Sequence, residues 1–254
     1  MILLYRITPF LVAFTSALGF TALLLRWVHP FVIVGIALFL MMILFARLLQ
    51  FQWSTFSFWF FLGTAAIFLL STFSVLFLFE EMLTRVIVSS ISVGFLMLFS
   101  EFVFLYVHLP SAYQPFSLEY LTLLMNLLSI FFFTCFGFAV SFLVQIPIFF
   151  LSIPFFFLSL FLIYGMLWVS KAESPHLRIS VFFGSILFTE FFVALSFLPT
   201  GFYTNAAFLT VLSYVFFGLT RAQAIHKLSP DIVRRYLITG SCLLLFIGLS
   251  SPWL

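Results

Sequence analysis

LFSEFVFLYVHLP (98–110) and LFTEFFVALSFLP (187–199) share six identities over 13 positions, and each sets a glutamate inside a long apolar run. The surrounding chain of 254 residues is 65% hydrophobic and 7% charged, whereas ordinary soluble domains carry about a quarter charged residues. A lipid bilayer is the solvent such a composition requires. Crossing about 30 Å of hydrocarbon takes roughly 20 helical residues. Apolar runs of that order lie near 8–28, 31–49, 56–79, 86–109, 117–142, 147–170, 178–199, 203–222 and 236–253. Strands of a membrane barrel would alternate polar and apolar positions over about ten residues, and these runs do not. The expectation is an all-α polytopic transmembrane bundle of seven to nine spanning helices, forming a single domain over 1–254.

Lys and Arg stay preferentially on the side of the membrane where the protein is made. Nine spans put Arg6, Arg47, Lys171, Arg178, Arg221, Lys227, Arg234 and Arg235 on the N-terminal side and only Arg26 and Arg85 opposite, eight against two. That bias predicts an inner N-terminus and an outer C-terminus. Run 8–28 is too long for a signal peptide and lacks a clear small-residue cleavage site before Arg26, so it reads as a helix. The net charge of +3 then reports topology and calls for no nucleic-acid partner. Cys135 and Cys242 fall inside apolar runs and read as small hydrophobes. With 43 Phe but only two Lys and two Asn, the implied coding strand is rich in T and poor in A. Strand-skewed organelle genomes give that pattern, which points to mitochondrial coding.

The two glutamates are the candidate functional groups. Glu101 and Glu190 precede Leu109 and Pro199 by eight and nine residues, about 12 to 14 Å from the helix end at 1.5 Å per residue. Carboxyl groups at such depth normally face the bundle interior and find a partner. The hydroxyl before each, Ser100 and Thr189, is a candidate companion. Two roles fit: a hydrogen-bonded acid that ties helices together, or a proton-handling group. The two strings fall in the fourth and seventh runs, three spans on, so their helices run in opposite directions, as in an inverted-repeat, proton-coupled transporter.

The residues around both glutamates also resemble a known family. GFLMLFSEFVF (94–104) is similar to the third helix of cytochrome c oxidase subunit III, with a Gly, an apolar run, then Ser-Glu and aromatics. LFTEFFVALSFLPTGFYTNAAF (187–208) resembles a later segment of that family through Glu190, Phe191, Ala194, Gly201, Tyr203 and Phe208. Ile146-Pro147 is similar to the opening of its fourth helix, TPF (8–10) or HPF (29–31) to the entry of its first, Glu81 to the acid closing its second, and the terminal SPWL to its aromatic end. The chain departs from the family in having nine apolar runs instead of seven and Thr200 where an acid is expected. The resemblance implies a redox-inert subunit of the terminal respiratory oxidase (complex IV) in the mitochondrial inner membrane. It would bind no cofactor itself, beside catalytic and copper-carrying subunits that hold haem and copper. Accessory membrane subunits and structural phospholipids such as cardiolipin would be its other partners, with Glu101 near a lipid-filled region.

A second resemblance points to catalysis. FEEMLTR (79–85) contains E-E-x-x-x-R and FLYVH (104–108) contains F-x-x-x-H, similar to glutamate intramembrane proteases of the CAAX-processing type. By that resemblance Glu80, next to Glu81, would activate water with His108 while Arg85 braces the pair, a reasonable general base. The H-x-x-x-N helix of that family has no counterpart, since Phe182 and Phe183 occupy the corresponding run. The residue-level alternative places Glu80, Glu81 and Arg85 in a solvated turn. His29, His108, His176 and His226 fall at run ends or in loops, which does not suit axial haem ligation, and neither H-x-x-x-H nor C-x-x-C zinc spacing occurs. Segment 221–235 reads as a basic inner loop.

Overall fold

The computed structural model describes residues 5–25, 29–169, 177–224 and 227–251. Among them are nine α-helices and no strand: α1 (Thr8–Leu24), α2 (Pro30–Leu48), α3 (Phe56–Leu76), α4 (Met82–His108), α5 (Ser117–Leu143), α6 (Ile148–Val169), α7 (Leu177–Leu195), α8 (Phe202–Ala224) and α9 (Pro230–Ser250). Seven of these are long and apolar enough to cross a membrane; α1 and α7 are the shorter apolar pair. The all-α polytopic reading therefore stands. In hydrocarbon, a helix satisfies its own backbone polar groups, which makes it the natural state for such runs. Arg26, Lys171, His176, His226 and the SPWL terminus beyond Ser251 lie outside the described residues, as does the side chain of Arg178.

Local signals move several boundaries. α9 begins at Pro230, inside the segment read as a basic loop, because Ser229 caps it: the Ile232 backbone N–H donates to Ser229 Oγ at 3.4 Å, Pro230 takes the first turn and Asp231 follows. Ser, Pro and Asp in that order form a helix-start signature, and it places Arg234 and Arg235 on the helix. α7 ends at Leu195, four residues before Pro199, and α4 begins at Met82 with Glu81 as its N-cap.

The chain divides into two compact units, residues 1–125 and 126–254, with α5 running through the boundary. In the first unit α1 packs most extensively on α4 and α2, while α3 lies against α2 and α4. A small-residue contact admits this: a Cβ on Gly19 would sit 2.9 Å from Ala37 Cβ and 3.3 Å from the Phe73 ring. Phe20 and Phe73 meet at 4.7 Å between ring centroids, and Phe99 touches both Phe45 and Phe61. Tyr5 and Gln50 both reach His108, so the start of α1 and the ends of α2 and α4 share one end. Arg6 and Arg47 lie at that end and Arg85 at the other.

In the second unit α6 packs on α7 and α8 on α9, with α7 and α6 also against α8. Phe192 lies between Phe138 and Phe155, 4.7 Å from each and tilted 24° to each. Gly137 leaves room for that ring, since a Cβ there would fall 3.2 Å from it. Gly184 faces Phe216 and Gly218 faces the Tyr236 ring in the same manner. Small residues set helix separation in membranes, where packing replaces the hydrophobic drive between helices.

Two expected outcomes follow from this packing. Phe192 is fully buried, so Phe192→Ala is expected to cost about 3 to 5 kcal/mol, read as a lowered unfolding midpoint in detergent; an unchanged midpoint contradicts the three-ring stack. At the start of α5, Tyr113 Oη donates to Glu119 Oε2 at 2.9 Å and accepts from the Leu118 N–H at 3.2 Å. Burial, with a smaller contribution from Glu119, pushes the Tyr113 phenol up to about 12. A raised folded value means that the contact stabilises fully below the unfolded value of about 10 and is lost as pH rises through about 12. In a tyrosinate absorbance titration, Tyr113→Phe is expected to remove a component that titrates near pH 12.

Candidate functional site

Glu80 and Glu81 are exposed at the start of α4; Thr84 Oγ1 donates to Glu81 Oε2 at 3.3 Å and Arg85 Nε donates to the Phe79 carbonyl at 2.6 Å. His108 is the last residue of the same helix. At 1.5 Å per residue the two ends lie about 40 Å apart. Glu80, Arg85 and His108 therefore form no catalytic constellation, and the protease reading is corrected on that ground. His108 instead fixes one end of the first unit, with its Nε2 at 3.3 Å from Gln50 Nε2 and its ring against Tyr5 and Phe104.

The glutamates are placed differently from each other. Glu101 is half-buried at the edge of the inner stripe of α4, and Glu190 is exposed on α7. Neither makes a hydrogen bond or ion pair among the described residues. Ser100 Oγ donates to the Met97 carbonyl and Thr189 Oγ1 to the Ser185 carbonyl, each at 2.8 Å. These are bonds to the turn behind, a usual refuge for hydroxyls in apolar helices, so the expected companions are already engaged. Because α7 ends at Leu195, Glu190 lies about 7 Å from the helix end, closer than the sequence spacing implied.

Geometry explains why Glu190 faces out. Val181, Ser185, Phe188 and Phe192 form the buried stripe of α7, at i, i+4, i+7 and i+11, and Glu190 follows Phe188 by two residues, about 200° around the helix. The expectation that both acids turn into the bundle fails at Glu190. The inverted-repeat expectation also loses its footing: α4 packs most extensively on α1, three helices before it, whereas α7 packs on its immediate predecessor α6.

Glu190 lies in a groove of about 550 Å³ between α6 and α7. Phe149 and Phe156 form one wall, and Ile186, Val193 and Phe197 the other, with Thr189 and Ala194 beside the carboxyl group. It is the one ionisable side chain among the lining residues. Positions 186, 189, 190, 193 and 194 repeat at helical spacing, so the groove follows one face of α7 over about two turns, with Phe197 just beyond the helix end. A second cavity, of about 480 Å³, lies where α5 ends and α7 turns into α8.

Two polar residues of the interior were not read as sites from the sequence. Asn126 is 0% exposed and its amide N and O both lack a partner, as does the Thr122 hydroxyl one turn earlier. Asn205 is 4% exposed. These are the chain's two asparagines, and their rarity within apolar runs was the available signal. No group of three His, Cys, Asp or Glu able to hold a metal occurs among the described residues. Comparison with protein-family models, with curated proteins and with solved structures finds no match for this chain.

Because Glu190 has no internal partner, Glu190→Leu is expected to leave the isolated chain as stable as before or to raise its stability by about 1 to 3 kcal/mol in a bilayer. A clear loss of stability on reversible unfolding would show that the carboxyl group holds the fold together.

Proposed function

We propose that this chain is a non-catalytic subunit of a membrane complex, and that the α6–α7 groove receives a transmembrane helix of a partner protein. The observation that carries this reading is a carboxyl group exposed among apolar side chains, in a groove, with no hydrogen bond from its own chain. A carboxylate facing acyl chains costs up to about 2.5 to 3.5 kcal/mol at the centre of a span. A hydroxyl, amide or basic group on an incoming helix offsets that cost and selects the partner. Interhelical hydrogen bonds of this kind contribute about 0.6 to 2 kcal/mol, enough to set register while apolar contacts with Phe149, Phe156 and Phe197 provide area.

Within this reading, the oxidase assignment is one specific complex. It is supported by the resemblance of 94–104 and 187–208 to subunit III, and its mitochondrial setting by the skew between Phe and Lys or Asn. It makes this chain redox-inert, with haem and copper on the neighbouring subunits and phospholipids around it. An inner N-terminus is supported by charge: Arg6 and Arg47 share one end of the first unit, and Arg221, Lys227, Arg234 and Arg235 lie at the end of the second unit opposite the α7–α8 turn.

The test is purification of the full chain from its native membrane in mild detergent. Companion membrane proteins are expected with the wild type and are expected to fall by about 3- to 30-fold with Glu190→Leu, while the variant chain stays folded. Equal recovery with both forms removes the docking role. Haem a absorbance in the complex assigns it to the terminal oxidase; a colourless complex keeps the docking reading and removes that assignment.

A further inference from the structure

The side chains lining the α6–α7 groove are one-sided in their hydrogen bonding. Phe149, Phe156, Ile186, Val193, Ala194 and Phe197 are hydrocarbon, and the polar side chains are Glu190 and Thr189. Thr189 Oγ1 spends its hydrogen on the Ser185 carbonyl at 2.8 Å, so it offers the groove only a lone pair. An ionised carboxylate accepts hydrogen bonds and donates none. The lining side chains therefore present acceptors and a negative charge, with no donor. A hydroxyl or carboxamide on an incoming helix would bring a donor, but also an oxygen for which these side chains have no donor. Lysine and arginine side chains are donors alone, and they neutralise the charge as well.

The second unit does not supply this base itself. Arg221, Lys227, Arg234 and Arg235 lie at its end opposite the α7–α8 turn, whereas Glu190 is five residues from Leu195 at the near end, about 7 Å. A second copy of that unit running in the same direction would hold the same four groups at the same wrong level. Resting on the docking of a partner helix in this groove, we infer that the partner's span carries an arginine or lysine one to two turns inside the membrane edge at the α7–α8 turn, where it pairs with Glu190. Charge-assisted bonds of this kind are about twice as strong as neutral ones, and the apolar stem of either residue can lie along the Phe walls while its head reaches the carboxyl group. By the charge bias of the loops that edge is the outer one, where basic residues are scarce. The base therefore sets the partner apart from ordinary spans.

The test compares Glu190→Leu with Glu190→Gln in the full chain, purified from its native membrane in mild detergent. Gln keeps the shape and the hydrogen-bonding capacity and removes the charge. Companion recovery is expected to fall by about 3- to 30-fold with Gln as it does with Leu. A fall with Leu but recovery within about twofold of wild type with Gln overturns the base and leaves the docking reading standing, because a hydroxyl or amide then serves. Equal recovery with all three forms removes the docking reading, and the base with it. The partner span is identified independently by replacing Phe197, on the groove wall, with a photoreactive benzoylphenylalanine and sequencing the crosslinked segment by mass spectrometry. An arginine or lysine one to two turns inside the near edge of that span is expected. Changing it to glutamate should lower recovery with the wild-type chain and restore it with Glu190→Arg. A crosslinked span without a basic residue at that level, or a swap that fails to restore recovery between folded chains, overturns the inference.

Discussion

Phe192, held flat between Phe138 and Phe155 above Gly137, decides which face of α7 turns inward, and the chemistry of the second unit follows from that choice. Lipid tails are as apolar as leucine, so no hydrophobic drive separates an inner from an outer Phe in the bilayer. Contact area and fit do so instead, and a ring sandwiched by two others above a glycine has more of both than Phe182 or Phe183, which are exposed on the same helix. Once Phe188 and Phe192 are in, Glu190 must be out.

The same constraint shows why the helices were legible in the sequence and their facing was not. Apolar length alone identified every helix to within several residues, because a spanning backbone has almost no other way to satisfy its hydrogen bonds. Facing normally shows as a polar stripe at helical period. In ILFTEFFVAL (186–195) aromatic and aliphatic residues stand on both faces, so the period is erased and a glutamate reads as the polar face of an inward stripe. Two further features were legible but subordinate to composition. Ser229, Pro230 and Asp231 announce the start of α9, and the 28-residue interval from Glu80 to His108, with the apolar run 86–109 between them, already separates those groups too widely for joint catalysis.

Polar groups inside the chain follow one economy. Ser16, Thr72, Thr134, Ser185 and Ser213 each return their hydroxyl to a carbonyl one turn back, so they add small volume to the interior at little electrostatic cost. Amides cannot do this as easily, because a carboxamide presents donors and acceptors together and a helical carbonyl satisfies only the donors. Asn126 is accordingly left unpaired, whereas Asn205 accepts from Thr200 through its oxygen. Unsatisfied amides in an apolar helix are therefore more informative than its many hydroxyls.

Exposure carries different weight for different groups in this protein. α9 has Gly240 as its buried residue and presents Leu237, Ile238, Leu245, Phe246 and Leu249 outward. In water such a face would demand a partner; in a bilayer it is at equilibrium with acyl chains and demands none. Glu190 has the opposite balance: in water it would be an unremarked surface acid, whereas among acyl chains it is the costly group. The direction of inference from exposure thus reverses with the solvent, and it ranks a single carboxyl group on α7 above the whole apolar surface of α9 as a marker of where another molecule binds.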